Sequence, residues 1–426
     1  MEYSMNSNTC TNRRQMGPLG AIWYDLPMGI ESAGGTIGYL ELQRGSGNSI
    51  LPRDHDAAIY IHFPFCRHIC TYCDFDTFPR LEGLIDAYVD AAVAQIMGSP
   101  EVQATTLYVG GGTPSLMSPE QAGRLSAACR ARFNLQPDSE ITLEANPSGI
   151  DLAKLAGFRD AGFNRVSIGV QSTDLKLLRL LGRRHGLAEA EETVRLAREA
   201  GFDNISLDLI YGVPRQDCGV WLSTLRTVTA WGVEHLSCYA LSVEMGTPME
   251  RAVKRGSLPV PPEEEVIAMY EAAGEFLASA GYRRYEISNW SRPGRESAHN
   301  LTYWRNLTYL AVGAGAAGCW GGRRYKLLPA VPAYVEGVRQ GRVPLSEDEE
   351  IDQRRGMSDS LILGLRLSEG ISVAEFRRRH GEEPVEHFGE QLRWGVESGL
   401  LEMDGETLRL TERGILLSNE LFQRLL

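Results

Sequence analysis

From Ala57 onward, short β-branched runs recur along the chain, and the intervals between them carry helical periodicity. The runs are AAIYIHF (57–63), TTLYVG (105–110), EITLEAN (140–146), RVSIGVQ (165–171), ISLDLIYG (205–212) and HLSCYALS (235–242). Amphipathic stretches such as AEAEETVRLAREAG (188–201) lie between them, with Gly201 as a helix stop. Strand and helix alternate six times, which predicts a parallel sheet, either doubly wound or curled into a barrel. The strand ends favour the barrel. They finish in Gly110, Gly111 and Gly112, then Glu144 and Asn146, then Gln171, Asp208, and Ser242 with Glu244. A β/α barrel builds its active site from such ends at the C-terminal rim.

The pattern changes outside 56–250. Residues 1–55 are rich in Asn, Ser, Gly and Arg with little periodicity, and are expected to be a poorly ordered extension with at most some strand pairing. Cys10 falls there, with no structural task. The segment 251–344 starts with a helix over 261–282 and continues into an aromatic-rich and Gly-rich region. From 345 to 426 the chain reads as helices plus one hairpin, LLEMDGETLRL, whose Asp404-Gly405 suits a tight turn. That tail resembles a winged helix used for packing.

Composition narrows the class. The chain has 426 residues, 43% of them apolar, enough for a large core and more than one domain. It has no apolar run of membrane-spanning length, and the first thirty residues lack a basic start followed by an apolar stretch, so a cytoplasmic protein is expected. A formal net charge of −12 argues against a nucleic-acid partner and leaves small molecules or proteins.

Three of the eight cysteines, Cys66, Cys70 and Cys73, fall within eight positions with the spacing C-x3-C-x2-C. In a reducing compartment such a set is a metal or catalytic site rather than a staple. Disulfides among such close neighbours are sterically poor. A structural zinc wants a fourth ligand, for which His62 and His68 are candidates. The remaining option is an iron–sulfur cubane with three thiolates and one iron left open to an exchangeable ligand.

YIHFPFCRHICTYCDF (60–75) resembles the cluster loop of the radical S-adenosylmethionine (SAM) superfamily. GGGTPSLM (110–117), EANPSG (144–149), NRVSIGVQS (164–172), LGRRH (181–185) and SLDLIYGVP (206–214) resemble the ordered motifs of its coproporphyrinogen-dehydrogenase branch. The resemblance runs from about residue 57 to the C-terminus. It implies a partial (β/α)6 barrel followed by a mainly helical domain. It also implies a [4Fe-4S] cluster on Cys66, Cys70 and Cys73, SAM on the open iron, and cleavage of SAM to a 5′-deoxyadenosyl radical by one electron from a donor such as flavodoxin or ferredoxin. For SAM, the implied contacts are the backbone of Gly111 and Gly112, Thr113, Glu144 near the cationic groups, Arg183 at the carboxylate, Asp208 and Gln171 at the ribose, and Tyr60 and Tyr72 beside the adenine.

Within the branch three readings remain. Dehydrogenases carry a further cysteine two positions after the third one, where this chain has Phe75. CTYCDF resembles instead the HemW haem chaperones, which bind haem and pass it to haem proteins, and HNLTYW (299–304) resembles their H-N-x-x-Y-W signature. The resemblance assigns haem or a flat substrate to His299, Tyr303 and Trp304, and extends through YEISNW (285–290) and GLRLSEGI (364–371). Ala298 and Ala317 stand where HemW proteins usually have Arg and His. These departures keep open a class C radical methyltransferase or cyclopropanase, using two SAM molecules on an aromatic substrate.

Overall fold

A computed structural model of the chain describes Gly38, Tyr39 and residues 56–426. The rest of the N-terminal extension, Cys10 included, lies outside the described residues. One sheet of thirteen strands organises the fold: β1 (Gly38–Tyr39), β2 (Asp56–Phe63), β3 (Gln103–Gly111), β4 (Glu140–Ala145), β5 (Arg165–Gln171), β6 (Ile205–Tyr211), β7 (His235–Ala240), β8 (Arg283–Glu286), β9 (Asn289–Ser291), β10 (Tyr309–Val312), β11 (Ala317–Trp320), β12 (Arg323–Leu327) and β13 (Pro344–Glu350). Their order is β1-β13-β12-β11-β10-β2-β3-β4-β5-β6-β7-β9-β8.

Strands β2 to β7 are parallel and sit in chain order. A doubly wound sheet reverses its order at a switch point. No reversal occurs here, so successive right-handed crossovers leave the helices on one face and the sheet curls. β2 and β7 do not pair with each other. β10 adds to β2 in parallel, and β9 adds to β7 antiparallel, so the barrel stays partial and both edges are covered.

The period-2 alternation has an unusual sense. One face of the strands, with Ile59, Ile61, Leu107, Val109, Ile141, Leu143, Val166, Ile168, Ile205 and Leu207, is fully buried in the main apolar core. Burial of each such side chain stabilises by about 1.5–3 kcal/mol. The other face carries Tyr60 and His62, Tyr108, Thr142 and Glu144, Arg165 and Ser167, Ser206 and Asp208, and His235 with Ser237. A closed β/α barrel fills its interior with branched apolar residues. This one fills it with polar groups.

Side-chain caps start several of the helices that follow the strands: Asp151 accepts from Lys154 N, Asp174 from Lys176 N and Leu177 N, and Asp217 from Val220 N. The helix expected over 261–282 runs Glu263–Ser279. The region after it, read from sequence only as aromatic and Gly-rich, holds the strands β8 to β12, and β13 occupies the start of the stretch after 345 that was expected to hold only helices and one hairpin. Each has three to seven residues, too few for an alternation to stand out. β1 pairs with β13, at Gly38 with Leu345 and Tyr39 with Pro344.

After residue 350, helices Gln353–Gly364, Val373–His380 and Pro384–Glu397 precede the expected hairpin, β15 (Leu401–Met403) with β16 (Thr407–Leu410), joined by β14 (Ile371–Ser372). This unit docks on β8. Ser368 N donates to Tyr285 O, Arg284 reaches Glu412 at 2.6 Å, and buried Arg366 lies 3.6 Å from buried Glu286.

Candidate functional site

The loop after β2 folds over the C-terminal rim and places all three cysteines there, half-buried. Backbone bonds fix it on both sides. Gly112 N and Thr113 N donate to Phe63 O and Phe65 O, each at 2.8 Å, Thr71 N donates to Leu181 O at 3.1 Å, and Met249 N donates to Thr71 O at 2.9 Å. His68 Nε2 donates to Gly182 O at 3.1 Å. The rim segments after β3, β5 and β7 therefore all hold the cysteine loop.

The glycine run has a packing cause as well as the expected ligand-facing one. A Cβ on Gly111, which has φ +105, would sit 2.3 Å from the His62 ring, and one on Gly112 would sit 2.6 Å from Phe65 O. His62 itself is tied on both nitrogens. Nε2 donates to Asp76 O at 2.9 Å, which leaves Nδ1 to accept from the Tyr60 hydroxyl at 2.9 Å. It is not a fourth metal ligand. Among the described residues, no three Cys, His, Asp or Glu side chains converge as a single bound metal ion requires. A cubane differs, because each thiolate meets its own iron.

Around the cysteines the expected residues converge. Cys66 Sγ lies 3.3 Å from Thr113 Oγ1, and Arg183 Nη1 donates to Cys70 Sγ at 3.7 Å. Arg183 Nη2 donates to Gly169 O at 2.5 Å and to Asn146 Oδ1, and Asn146 Nδ2 donates to Thr113 Oγ1 at 3.2 Å. Tyr72 packs with Leu177, Leu181, Ile210, Val213 and Met249. Gln171 takes a left-handed backbone, φ +65, which is rare for a non-glycine residue and marks the end of β5 as constrained. Burial drives the Cys73 thiol up to about 12, with the charges of Cys70 and Cys66 adding to it. Iron binding supplies the positive charge that removes such protons.

Two carboxylates face the lumen below this rim. Glu144 accepts from the Tyr108 hydroxyl at 2.7 Å and from Gly111 N at 3.0 Å. Burial first, then the Asp208 charge, raises it to about 7 against those hydrogen bonds and Arg165. Asp208 accepts from Ser167 Oγ at 3.1 Å and is raised by burial, with Ser237, Arg165 and Ser167 opposing. Anions kept near neutrality by burial suit a cationic ligand that restores their charge on binding.

Sequence reasoning singled out the strand ends and missed the residues that support them. Tyr108, Ser167 and Ser237 lie on the same strand faces, while Asn146, one of the strand ends already singled out, joins Thr113 to Arg183. Counting back by two from Gly110 finds Tyr108, whereas Ser237 is out of phase with the ends Ser242 and Glu244.

His299, Tyr303 and Trp304 do not join the rim. Their helix, Ala298–Trp304, plugs the other end of the barrel, where Glu140, the first residue of β4, accepts from His299 N at 3.0 Å and from Ala298 N. His299 Nδ1 meets Thr106 Oγ1 at 2.7 Å, Nε2 meets Tyr303 OH at 2.9 Å, and the ring stacks on Tyr108 at 5.0 Å. Burial first, then Arg165, lowers it to about 3, so it is a neutral imidazole with both nitrogens engaged. From Thr106 to Gly111 is roughly 16 Å along the strand. His299 thus packs between Thr106, Tyr303 and Tyr108, away from the cysteine loop. Trp304 is buried under the Arg366 guanidinium, 4.3 Å from its ring centroid, and Tyr303 packs edge-on against Tyr309 at 4.7 Å.

Comparison with known proteins identifies the family. A family model described as the radical SAM superfamily matches residues 60–221, and one described as the HemN C-terminal domain matches 351–417. The solved structure of Escherichia coli coproporphyrinogen III oxidase (HemN), a radical SAM enzyme, superposes with TM-score 0.77 at 24% identity over 87% of this chain and 90% of that one, which establishes the shared fold. The chain is therefore a radical SAM protein, and that class carries a [4Fe-4S] cluster and SAM. The curated relatives narrow it further. Heme chaperone HemW of Lactococcus lactis is 34% identical over 368 residues, 86% of this chain and 96% of the relative, and that of Bacillus subtilis is 35% identical over 370 residues, 85% and 97%. Bovine radical S-adenosyl methionine domain-containing protein 1, mitochondrial, is 35% identical over 406 residues, 90% of each chain. The chain belongs to the HemW family.

The residues present fit the two cofactors. Three thiols on one loop, a guanidinium already touching one sulfur, and buried carboxylates short of positive charge are the donor set that a cubane with SAM on its open iron requires. When bound, the pair supplies one-electron cleavage of the sulfonium. Cys66, Cys70 and Cys73 would hold the cluster, and Glu144 and Asp208 would lie beneath it in the lumen. Among the described residues no helix is long and apolar enough to cross a membrane.

Proposed function

We propose that this protein is a haem chaperone, which binds haem and hands it to haem-requiring proteins, with the cluster and SAM seated at the barrel rim. The observation that carries the reading is similarity along nearly the whole length of HemW relatives, 96% and 97% of two of them, rather than over the barrel alone. Phe75 supports it, since the dehydrogenase branch places a cysteine there. Cys66, Cys70 and Cys73 hold the cluster, and Thr113, Glu144, Gln171, Arg183 and Asp208 bind SAM.

The haem is cargo, and His299 is not offered as its ligand. Titration of the anaerobically reconstituted protein with hemin is expected to give a Soret change saturating at a fixed stoichiometry. Mixing the loaded protein with an apo b-type cytochrome is then expected to move the Soret band to that of the acceptor. Hemin that partitions without saturation, or never leaves, would defeat the reading. Release of both 5′-deoxyadenosine and S-adenosylhomocysteine in step with methylation of an aromatic acceptor would replace the chaperone by a two-SAM methyltransferase.

A further inference from the structure

Where the C-terminal unit meets the barrel edge, the two enclose a cavity of about 250 Å³. Arg284 of β8 and Arg366, from the turn after the helix Gln353–Gly364, wall it together with the buried side chains of Ile287, Leu367, Leu410 and Ile415. The lining therefore joins aliphatic surface to two guanidinium groups.

Arg366 is 6% exposed, and its donors are poorly used. Its Nε has no partner, and Glu286 Oε2, at 3.6 Å, lies beyond hydrogen-bond length. Trp304 covers one side of the guanidinium at 4.3 Å from its ring centroid. Burial pulls Arg366 down from its ordinary value, and the Glu286 charge makes good only part of that loss. Arg284 gives Nη1 to Tyr270 and both Nη groups to Glu412, but its buried Nε is also unpartnered.

Three further charges line the cavity, and they sit towards water. Glu412 pairs with Arg284 and is 79% exposed, while Glu402 and Arg409, 54% and 52% exposed, pair with each other at 2.8 Å. Glu286 is buried behind Arg366 and is not part of the wall. The charge presented by the buried part of the cavity is therefore positive, although Glu286 lies close behind it.

We propose that this cavity is a binding site for a small organic carboxylate with a compact apolar body. The carboxylate takes up the spare donors of Arg366 and Arg284, whose planar forks match its two oxygens, and the body packs on the four aliphatic side chains. The volume lies just below the roughly 300–1,000 Å³ of sites for drug-sized ligands, so the occupant has about the size of benzoate. A porphyrin is too large for it. On Arg284 the incoming carboxylate exchanges with Glu412, the most exposed of the lining charges. Walls from both parts make an occupied site a clamp between β8 and the C-terminal unit, independent of the cluster and of haem.

Benzoate is the probe and benzamide its uncharged isostere, each titrated into the full-length reconstituted protein with 13C-labelled isoleucine methyls. Benzoate is expected to shift Ile287 and Ile415 with one saturable Kd that calorimetry reproduces, and benzamide to bind about tenfold or more weakly. Arg284→Gln is expected to weaken benzoate by about tenfold, and Ile415→Phe, which fills the cavity and keeps both arginines, to abolish binding. Glu412→Gln removes the competing carboxylate and is expected to tighten benzoate about threefold. That residue is on the surface, so its affinity is readable even where the other two variants fail to fold. None of these variants strands Glu286, as loss of Arg366 would. Shifts that never saturate, equal affinity for benzamide, or benzoate binding in Glu412→Gln no tighter than in wild type would each overturn the proposal. Wild-type binding by folded Ile415→Phe would place the ligand elsewhere and overturn it too.

Discussion

Arg183 Nη1 stands 3.7 Å from Cys70 Sγ, so the side chain expected at the SAM carboxylate also touches a sulfur proposed to hold the cluster. Two jobs on one guanidinium tie ligand binding to cluster electronics. Arg183→Met is expected to weaken SAM binding by about 1.5–3 kcal/mol, the worth of a charge-assisted hydrogen bond. It should also move the cluster potential to more negative values, because a donor to sulfur is lost. Calorimetry and spectroelectrochemistry read the two effects. An unchanged potential would mean that the contact is incidental.

The lumen carboxylates give the ligand-free protein a pH dependence. Glu144 rises from 4.5 to about 7 on folding, and Asp208 is also raised. A raised acid contributes stability that is fully present below the unfolded value and is lost as pH climbs through the folded one. Stability is therefore expected to fall between about pH 4.5 and 7, by up to about 3 kcal/mol from Glu144. Glu144→Gln should flatten the profile in urea melts taken across that range. A profile that rises with pH in wild type and variant alike would show that Glu144 is ionised without ligand.

His299 is held by Thr106 and Tyr303 at the closed end of the barrel. His299→Ala is expected to cost about 2–4 kcal/mol, through a cavity and two lost hydrogen bonds. The hemin stoichiometry and Soret position should survive in whatever fraction stays folded. A folded variant with an altered Soret band would restore the ring as an axial ligand.

At the joint with the C-terminal helices, Glu286 and Arg366 are both buried, and Glu286 also accepts from Ser288 N at 3.0 Å and from Asn289. Removing one partner strands the other charge. Glu286→Ala is expected to cost about 3–5 kcal/mol, with much of it recovered in Glu286→Gln/Arg366→Met. A double-mutant cycle in guanidinium decides, and additive losses would mean that the pair does not couple the two parts.

The barrel was legible because its outer faces are long enough for alternation to show. AAIYIHF and ISLDLIYG predict strands that the structure places at 56–63 and 205–211. The rim residues were legible because polar strand ends have no packing reason to be there. The strands after residue 282 were not, since RRYE, NWS, YLAV and AGCW hold too few residues for a period and owe their conformation to the sheet edges they join. HNLTYW shows which residue types occur, but not that Thr106 and Glu140 would receive them across the barrel.

The parallel pairing of β10 with β2 sets a timetable. Thr308 Oγ1 bonds Asp56 O across 252 residues, and Tyr309 is in register with Ala58. At ribosomal rates that interval lasts roughly 10–50 s. Once β3 has emerged and paired with one side of β2, the other backbone edge of β2 stays bare until β10 follows. An unpaired edge recruits any extended segment that comes near it. Translation therefore leaves the youngest barrel with a window in which strand capture by a neighbouring chain competes with its own completion, and synonymous codon changes between the two strands would lengthen or shorten that exposure without altering a single residue.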